Sequence, residues 1–165
     1  LYLRPKKMTT EVIRPNLFIL DVDGVLSTGQ HLYDSSGKQY KIFGPHDNEG
    51  LKIISNYLKV EFISADQRGF GISERRVIDM GFEISLVSED EREYYFEKLK
   101  NDNVIFMGDS YTDSLVFDKI NYSIAPKNAV SYAINKANFV TSLKAGEGAV
   151  FEACMHIKDK FFDDW

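Results

Sequence analysis

Two pairs of closely spaced carboxylates are the residues of this sequence whose types and spacing most suggest chemistry. Asp21 and Asp23 directly follow the apolar run LFIL, and Asp109 and Asp113 lie four residues apart in "VIFMGDSYTD". Carboxylates this close repel one another, and a bound divalent cation removes the repulsion. Hard cations such as Mg²⁺ prefer oxygen ligands and often use one or two carboxylates. The two pairs therefore indicate a magnesium site.

Each acidic pair also has a purely structural explanation. Asp21 or Asp23 could cap a turn before a helix. Asp113 could be an acidic residue in the first turn of a helix that begins near Ser110, where the helix dipole favours negative charge. The residue types alone leave both explanations open, so the position of the pairs in the fold has to decide.

Strand-like and helix-like segments alternate over most of the chain. The apolar segments "NLFILD", "KVEFIS", "FEISLV", "NVIFMGD", "YSIA" and "FVTS" are typical of strands, and most of them are separated by segments with helical spacing of apolar residues. The early segment "GQHLYDSSGKQYKIFG" alternates on both sides of a turn and predicts a β-hairpin at about residues 29–43. The pattern predicts an α/β fold, a Rossmann-like three-layer sandwich with a mainly parallel sheet and the hairpin as an insertion.

Three apolar strands of this predicted sheet end in polar residues. The first ends in Asp21, the second in Ser64, and the fourth in Gly108-Asp109. Ligands of such sheets bind outside the carboxyl ends of the strands. We therefore expect these three side chains to meet at one site, which favours the chemical explanation of the carboxylates.

Composition limits the classes of partner. The 165 residues carry a net charge of −5, which argues against a nucleic-acid binder, and an anionic substrate would need local positive charge or a metal ion. The single cysteine, Cys154, excludes an internal disulfide. No apolar run is long enough for a membrane span and no signal peptide opens the chain, so we expect a cytoplasmic protein without a membrane partner.

Several segments together resemble motifs of the haloacid dehalogenase superfamily of phosphotransferases. They are "DVDGVL", the serine in "FISAD" and "GDSYTD", in this order and spacing. More narrowly, "DVDGVLSTGQHLY", "DNEGLKII", "SIAPKNAV" and "VTSLKAGEGAVFEAC" resemble the small branch without a cap domain that contains phosphatases of 3-deoxy-manno-octulosonate 8-phosphate and of acylneuraminate 9-phosphates. The resemblance covers roughly residues 16–157 and implies a single phosphatase domain, residues 1–165.

The resemblance implies a role for each of the strand-end residues. Asp21 would be the nucleophile that forms an aspartyl-phosphate, and Asp23 would protonate the leaving group and then activate water. Asp21, the backbone carbonyl of Asp23, and Asp109 would bind Mg²⁺, with Asp113 as a ligand through water or a supporting group. Ser64 would donate a hydrogen bond to the transferring phosphoryl group, unless its hydroxyl only caps the turn after its strand.

The family's lysine, which neutralises the nucleophile and the phosphoryl oxygens, is altered here. Counting without gaps from Gly81, its position falls on Arg92 in "SEDEREYYF". Arginine keeps the positive charge and can hold phosphate with two hydrogen bonds, but it is not equivalent to lysine. Lys98 and Lys100 are the other candidates for this role, and Arg92 could instead be a solvated partner of a neighbouring glutamate.

Other departures bear on the substrate. The octulosonate phosphatases usually read Gly-Arg after the serine, whereas this chain has Ala65-Asp66, which is more similar to the nine-carbon sugar-acid phosphatases. Arg75 and Arg76 could pair with Asp66 or bind a substrate carboxylate, or they could form an exposed face. His46 could bind substrate or orient a loop. Glu147 stands where the family often has arginine.

The resemblance also implies a homotetramer in which the hairpin packs against neighbouring copies and helps to cover the site. The apolar and aromatic hairpin side chains suit an interface, although they could also pack on their own domain; they are Leu32, Tyr33, Tyr40, Ile42 and Phe43.

The resulting hypothesis is an Mg²⁺-dependent phosphatase of a phosphorylated sugar acid, of the nonulosonate 9-phosphate or 3-deoxy-manno-octulosonate 8-phosphate type. A second interpretation is a phosphatase of another small phosphate monoester. A third is a weakly active assembly or regulatory module that keeps the fold, for which the altered lysine position and Glu147 are the only support.

Overall fold

The computed structural model describes residues 13–163 and contains eight strands and six helices within that range. In chain order the elements are β1 (Leu17–Asp21), a wide π-type helical turn (Val22–Leu26), β2 (Ser27–Asp34), β3 (Gly37–Phe43), α1 (Asp47–Ile54), β4 (Lys59–Ser64), α2 (Phe70–Asp79), β5 (Glu83–Leu86), α3 (Glu89–Glu97), β6 (Val104–Met107), α4 (Tyr111–Phe117), β7 (Tyr122–Ala125), α5 (Ser131–Lys136), β8 (Phe139–Val140) and α6 (Ala149–Phe161).

Six of the strands form one parallel sheet in the order β5-β4-β1-β6-β7-β8. Strands β2 and β3 pair separately as an antiparallel hairpin. The predicted α/β architecture with a hairpin insertion is therefore confirmed. The parallel sheet explains why the first four residues of β1 are apolar, because both faces of the strand are covered by helices.

The alternation of side chains along β1 divides the core into two layers. Phe18 and Leu20 pack in the layer that contains α1, α2 and α6, whereas Leu17 and Ile19 pack in the layer that contains α3, α4 and α5. All four side chains are buried. Burial of this kind contributes about 2 kcal/mol for each large apolar side chain, so the strand that ends in Asp21 is held rigidly from both sides.

The register of the sheet brings the predicted site residues to one edge. Asp21 pairs with Ile63, next to Ser64 at the end of β4, and Leu20 pairs with Met107 at the end of β6. Gly108 and Asp109 follow directly. The carboxyl ends of β4, β1 and β6 are thus neighbours, which is the position at which α/β sheets bind ligands.

Among residues 13–163, no helix combines the length and the apolar character needed to cross a membrane.

Candidate active site

The turn after β1 places Asp21 and Asp23 at the sheet edge. Asp21 is buried as the last residue of the strand, and Asp23 is half-buried in the wide turn that follows. Gly24 ends the tight part of this turn with a φ of 79°, which side chains rarely tolerate. A Cβ atom on Gly24 would also lie 2.1 Å from Asp109 Oδ2. Glycine therefore allows the Asp109 carboxylate to approach the Asp21–Asp23 turn closely.

The second acidic pair is organised by the beginning of α4. Ser110 is the N-cap, its hydroxyl accepts a hydrogen bond from the Asp113 N–H, and Asp113 Oδ2 accepts from the N–H groups of Asp109 and Ser110 at 3.0 Å each. This reciprocal capping box explains the four-residue spacing of the carboxylates. Asp113 is fully buried, whereas Asp109 remains partly exposed at the cavity.

Arg92 lies inside the site. Its side chain is 2% exposed, Nη1 donates to Asp113 Oδ1, and Nη2 lies 3.5 Å from Asp21 Oδ1. Among residues 13–163, neither Nε nor Nη2 has a hydrogen-bond partner. A buried guanidinium with free donors next to two carboxylates is positioned to bind a further anion.

Burial and mutual repulsion raise the pKa values of two carboxylates at this edge of the sheet. Burial and the charge of Asp113 raise the pKa of Asp109 to about 7. Burial is also the largest cause that raises the pKa of Asp21 well above its ordinary value, followed by the charge of Asp113 and opposed by Arg92. Such shifts mark groups that gain stability from a neighbouring positive charge.

Ser64 at the end of β4 and Asp66 in the following turn lie beside the end of β1. Ser64 is fully buried, and its Oγ accepts a hydrogen bond from the Asp66 N–H at 3.2 Å. The serine therefore caps the turn after β4, and its own hydroxyl proton remains available to another acceptor. Asp66 in turn accepts from the Gly69 N–H at 3.1 Å through Oδ1.

The hairpin carries two lysines into the site. Lys41 Nζ lies 2.9 Å from Asp23 Oδ2, 2.8 Å from Asp66 Oδ2 and 2.7 Å from Ser73 Oγ. Lys38 Nζ donates to the same oxygen of Asp66 at 2.5 Å. Burial alone would raise the pKa of Asp66, but the hydrogen bonds from the two lysines lower it well below its ordinary value.

His31 from β2 completes this side of the site, with Nε2 at 3.1 Å from Asp23 Oδ1. Many of these groups surround a cavity of about 350 Å³, while Lys41, Ser64 and Asp113 support its lining from behind. It is lined by Asp21, Asp23, Gly24, Gly29, His31, Lys38, Ala65, Asp66, Glu89, Arg92, Asp109 and Ser110. A cavity of this size and polarity suits a small charged ligand.

Three residues predicted to bind substrate lie elsewhere. Arg75 is exposed and pairs with Asp79 at 3.1 Å, while the guanidinium carbon of Arg76 lies 5.8 Å from the ring centre of Phe43. Among residues 13–163, Asp66 therefore forms its ion pairs with the hairpin lysines and with neither of these arginines. His46 is exposed before α1, with its ring centre 6.3 Å from that of Phe151.

Lys98 and Lys100 are both exposed and line a separate groove beside the ends of α3 and α4. The structure thus brings Arg92, and neither of these lysines, to Asp21. Glu147 is exposed in the loop before α6.

Sequence reasoning missed Lys38 and Lys41. The available signal was that a net acidic chain with an anionic substrate needs local positive charge, and the hairpin contains two lysines three residues apart. The apolar residues of the hairpin predict an interface and give no indication of where these lysines point.

The donor set at the sheet edge fits a hard divalent cation. Carboxylate oxygens of Asp21, Asp109 and Asp113 lie within 4.8 Å of one another, and the raised pKa values of the first two show repulsion that a cation would relieve. Asp113 already binds Arg92 and two N–H groups. It is therefore better suited to supporting the site than to direct ligation.

A second cluster, Asp23, His31 and Asp66, has similar spacing. Here the ammonium groups of Lys38 and Lys41 already neutralise the carboxylates. This second cluster does not fit a metal ion.

Comparison with known proteins identifies relatives that are phosphatases. The model of the haloacid dehalogenase-like hydrolase family matches residues 94–153. The 3-deoxy-D-manno-octulosonate 8-phosphate phosphatase of Escherichia coli K12 is 30% identical over 145 residues, which cover 84% of this chain and 76% of that protein. The enzyme of the same name from Haemophilus influenzae is 32% identical over 141 residues, which cover 81% of this chain and 77% of that protein. The chain belongs to the haloacid dehalogenase-like hydrolases.

Solved structures support this family assignment at the level of the whole fold. The cobalt-bound octulosonate phosphatase of Haemophilus influenzae superposes with a TM-score of 0.78 and 28% identity, covering 92% of this chain and 94% of that chain. The Moraxella catarrhalis enzyme, in complex with magnesium, phosphate and the sugar acid, gives 0.78 and 25%, covering 88% and 87%. This member of the family is a phosphoric monoester hydrolase of the branch without a cap domain.

Proposed function

We propose that the protein is an Mg²⁺-dependent phosphatase that hydrolyses a phosphorylated sugar acid through an aspartyl-phosphate intermediate. The observation that carries this proposal is the convergence of Asp21, Asp23, Asp109 and Arg92 on one cavity of about 350 Å³. The relatives named as octulosonate 8-phosphate phosphatases support the sugar-acid class. The catalytic unit is the single domain, residues 1–165.

In this mechanism Asp21, the carboxylate at the end of the fully buried strand β1, attacks phosphorus. Its oxygen forms a bond to phosphorus while the bond from phosphorus to the leaving oxygen breaks. Asp23, two residues later, gives its proton to that leaving oxygen. In the second half Asp23 takes a proton from water, which attacks the aspartyl-phosphate and releases phosphate.

The phosphoryl group carries charge that the surrounding donors must stabilise. Arg92 has two guanidinium nitrogens without hydrogen-bond partners in the described part of the chain, and one of them, Nη2, lies 3.5 Å from Asp21 Oδ1. We assign it the charge that the family's lysine supplies. The Ser64 hydroxyl and the backbone N–H groups after Asp21 provide further donors.

Asp21, Asp109 and the backbone carbonyl of Asp23 would hold Mg²⁺, and Asp113 would orient this set through its capping box. Bound there, the cation would neutralise the nucleophile and the phosphoryl oxygens.

The identity of the sugar acid depends on the residues near Asp66. Relatives of the octulosonate type usually have Gly-Arg after the serine, whereas here Asp66 is bound by Lys38 and Lys41. An acidic residue in this place favours a nonulosonate 9-phosphate over 3-deoxy-manno-octulosonate 8-phosphate. Another small phosphate monoester is the second candidate, because the cavity itself selects no carbon skeleton.

The test is phosphate release from a panel of esters with added Mg²⁺: both sugar-acid phosphates, hexose 6-phosphates and nucleoside monophosphates. We expect turnover to be fastest on a sugar-acid phosphate, to stop on chelation, and to be abolished in Asp21→Asn. A preference for a neutral sugar phosphate would reject the substrate class, and full activity of Asp21→Asn would reject the mechanism.

We also propose that copies of the chain assemble through the hairpin into a homotetramer. Four apolar hairpin side chains have exposed fractions of 42–65%, namely Leu32, Tyr33, Tyr40 and Ile42. Phe43 instead packs against the core of its own domain. Light scattering after size-exclusion chromatography tests this, and a monomer at micromolar concentration would reject it.

A further inference from the structure

Lys41 is a buried cation whose three donors are all used. Its side chain is 0% exposed, and an ammonium group carries three N–H bonds. The structure gives it three oxygens, from Asp23, Asp66 and Ser73, at 2.7–2.9 Å. Such complete pairing is what allows a lysine to be buried, since an unpaired buried charge is strongly destabilising.

The oxygens of Ser73 and Asp66 hold the Lys41 ammonium group in place, and the ammonium group in turn holds the carboxylate of Asp23. Ser73 is fully buried on α2, and Asp66 is held by the Gly69 N–H and by Lys38. Asp23, in contrast, is partly exposed and lies in the wide turn, where its φ and ψ of −74° and 120° depart from helical values. The lysine therefore transmits the rigid position of α2 and the β4–α2 loop to the Asp23 carboxylate.

We propose that Lys41 is a positioning residue that holds Asp23 for proton transfer to the leaving group. This inference rests on the proposed phosphatase mechanism. Because Asp23 Oδ2 accepts from Lys41 at 2.9 Å, Oδ1 is the oxygen that carries the transferable proton. When the bond between phosphorus and the leaving oxygen breaks, its electron pair goes to that oxygen, which takes the proton from Oδ1.

His31 differs from Lys41 in a way that separates their roles. Its Nε2 lies 3.1 Å from Asp23 Oδ1, on the oxygen that exchanges the proton, and its side chain is 25% exposed. A leaving group can displace a partly exposed ring, whereas the fully buried Lys41 stays in place. Lys41 is thus suited to orientation throughout the reaction.

Lys38 provides a matched comparison within the same strand. It binds the same Asp66 oxygen as Lys41 does, but the structure gives it no contact with Asp23 among the described residues. Removing either lysine takes one positive charge from Asp66, and only removal of Lys41 releases Asp23.

The experiment compares two esters of similar size with Lys41→Met, Lys38→Met and the wild-type enzyme at saturating Mg²⁺. The leaving group of 4-nitrophenyl phosphate departs without a proton, whereas that of benzyl phosphate is an alkoxide and needs one. We expect Lys41→Met to lose kcat on benzyl phosphate by about 10-fold or more beyond its loss on 4-nitrophenyl phosphate, since general acids contribute about 10²–10⁴-fold. Lys38→Met should keep the wild-type ratio.

An equal loss on the two esters in Lys41→Met, with an active wild-type enzyme, would mean a structural role and would overturn the inference alone. A change of the ratio in Lys38→Met as large as that in Lys41→Met would also overturn it.

If circular dichroism shows that Lys41→Met does not fold, Ser73→Ala tests the inference in its place. This variant frees Lys41 on one side, so a smaller shift of the ratio in the same direction supports the proposal and an unchanged ratio overturns it. A wild-type enzyme that releases phosphate from no ester would overturn the proposed function and this inference together.

Discussion

Replacement of Arg92 by methionine tests how this chain supplies the charge that its family takes from a lysine. Methionine keeps much of the side-chain volume and removes the guanidinium. The structure then leaves Asp113 with its two backbone donors but without its ion pair, and Asp21 without the only cation within 4 Å of it among residues 13–163.

The cost in stability follows from burial. Asp113 is 0% exposed and Asp21 is 7% exposed, and breaking a buried ion pair by removing one partner costs about 3–5 kcal/mol. A domain of this kind has a free energy of unfolding of about 5–15 kcal/mol, so Arg92→Met should be strongly destabilised. Arg92→Lys keeps the charge and should lose less, because an ammonium replaces only part of the planar guanidinium contact with Asp113.

The expected loss of activity in Arg92→Met follows from the two guanidinium nitrogens of Arg92 that have no hydrogen-bond partner among the described residues. Removing one preorganised donor to a transition-state charge lowers kcat by about 10²–10³-fold in other enzymes, and we expect a loss of this size in Arg92→Met. Arg92→Lys should fall between this variant and the wild-type enzyme. Urea unfolding and Mg²⁺-dependent phosphate release measure the two effects separately.

Lys98→Met and Lys100→Met are the matched controls, because both side chains are exposed outside the cavity. They should change neither quantity appreciably. Wild-type kcat in a folded Arg92→Met protein, or a large loss of kcat in either lysine variant, would refute the assignment of this role to Arg92.

Three further predictions concern Asp21, Asp47 and Gly24. Asp21→Asn should raise the melting temperature in chelator, because it removes a buried charge whose pKa is already raised by burial and by its neighbours; a lowered melting temperature would contradict this. Asp47 accepts from the Phe151 N–H at the beginning of α6, and burial raises its pKa from 3.8 to about 6. The folded state therefore binds this proton more tightly than the unfolded state, so the Asp47 contribution to stability is lost as pH rises from about 4 to 6, by up to about 3 kcal/mol. Because the raised pKa values of Asp21 and Asp109 give a slope of the same sign, urea unfolding should show a steeper loss of stability in the wild type than in Asp47→Asn, and equal slopes would contradict the prediction. Gly24→Ala should weaken Mg²⁺ binding by calorimetry, because its Cβ would lie 2.1 Å from Asp109 Oδ2, and unchanged affinity would contradict the close approach.

The parts of the site that lie on the sheet could be predicted from the sequence. Asp21, Ser64 and Asp109 each follow a buried strand, and parallel strands with helical connections bring their carboxyl ends to one edge. The spacing of Asp109 and Asp113 could likewise be interpreted, since Ser110 begins a helix at the expected place. In these cases the local sequence pattern and the topology of the sheet predict the same position for each side chain.

Arg92 shows where sequence reasoning stops. Its position could be counted from Gly81, but "SEDEREYYF" is a charged segment in which an exposed arginine is equally plausible. Burial is decided by the direction of α3, which the capping box of Ser88 and Glu91 fixes, and by the packing of Phe96 in the core. These contacts turn Arg92 toward Asp113.

The positions of Lys38 and Lys41 in the site could not be predicted, because they depend on an irregular strand register in the hairpin. In a regular strand Lys38 and Lys41, three residues apart, point to opposite faces, because side chains alternate with a period of two. Here Tyr40 pairs with Leu32 and Lys38 pairs with Tyr33, so Gln39 is an extra residue on β3. A bulge of this kind moves the following side chains to the other face.

Both ammonium groups consequently reach Asp66, and Lys41 also reaches Asp23. Gly69 makes this convergence possible, since a Cβ there would lie 2.8 Å from both lysine side chains and 2.3 Å from Asp66 Oδ2. A single inserted residue and a single missing side chain thus place two ammonium groups of the hairpin beside acidic side chains at the sheet edge, while the apolar side chains of the hairpin stay exposed. For this reason an alternating hydrophobic pattern identifies a hairpin more reliably than it identifies which of its side chains point toward the edge of the sheet.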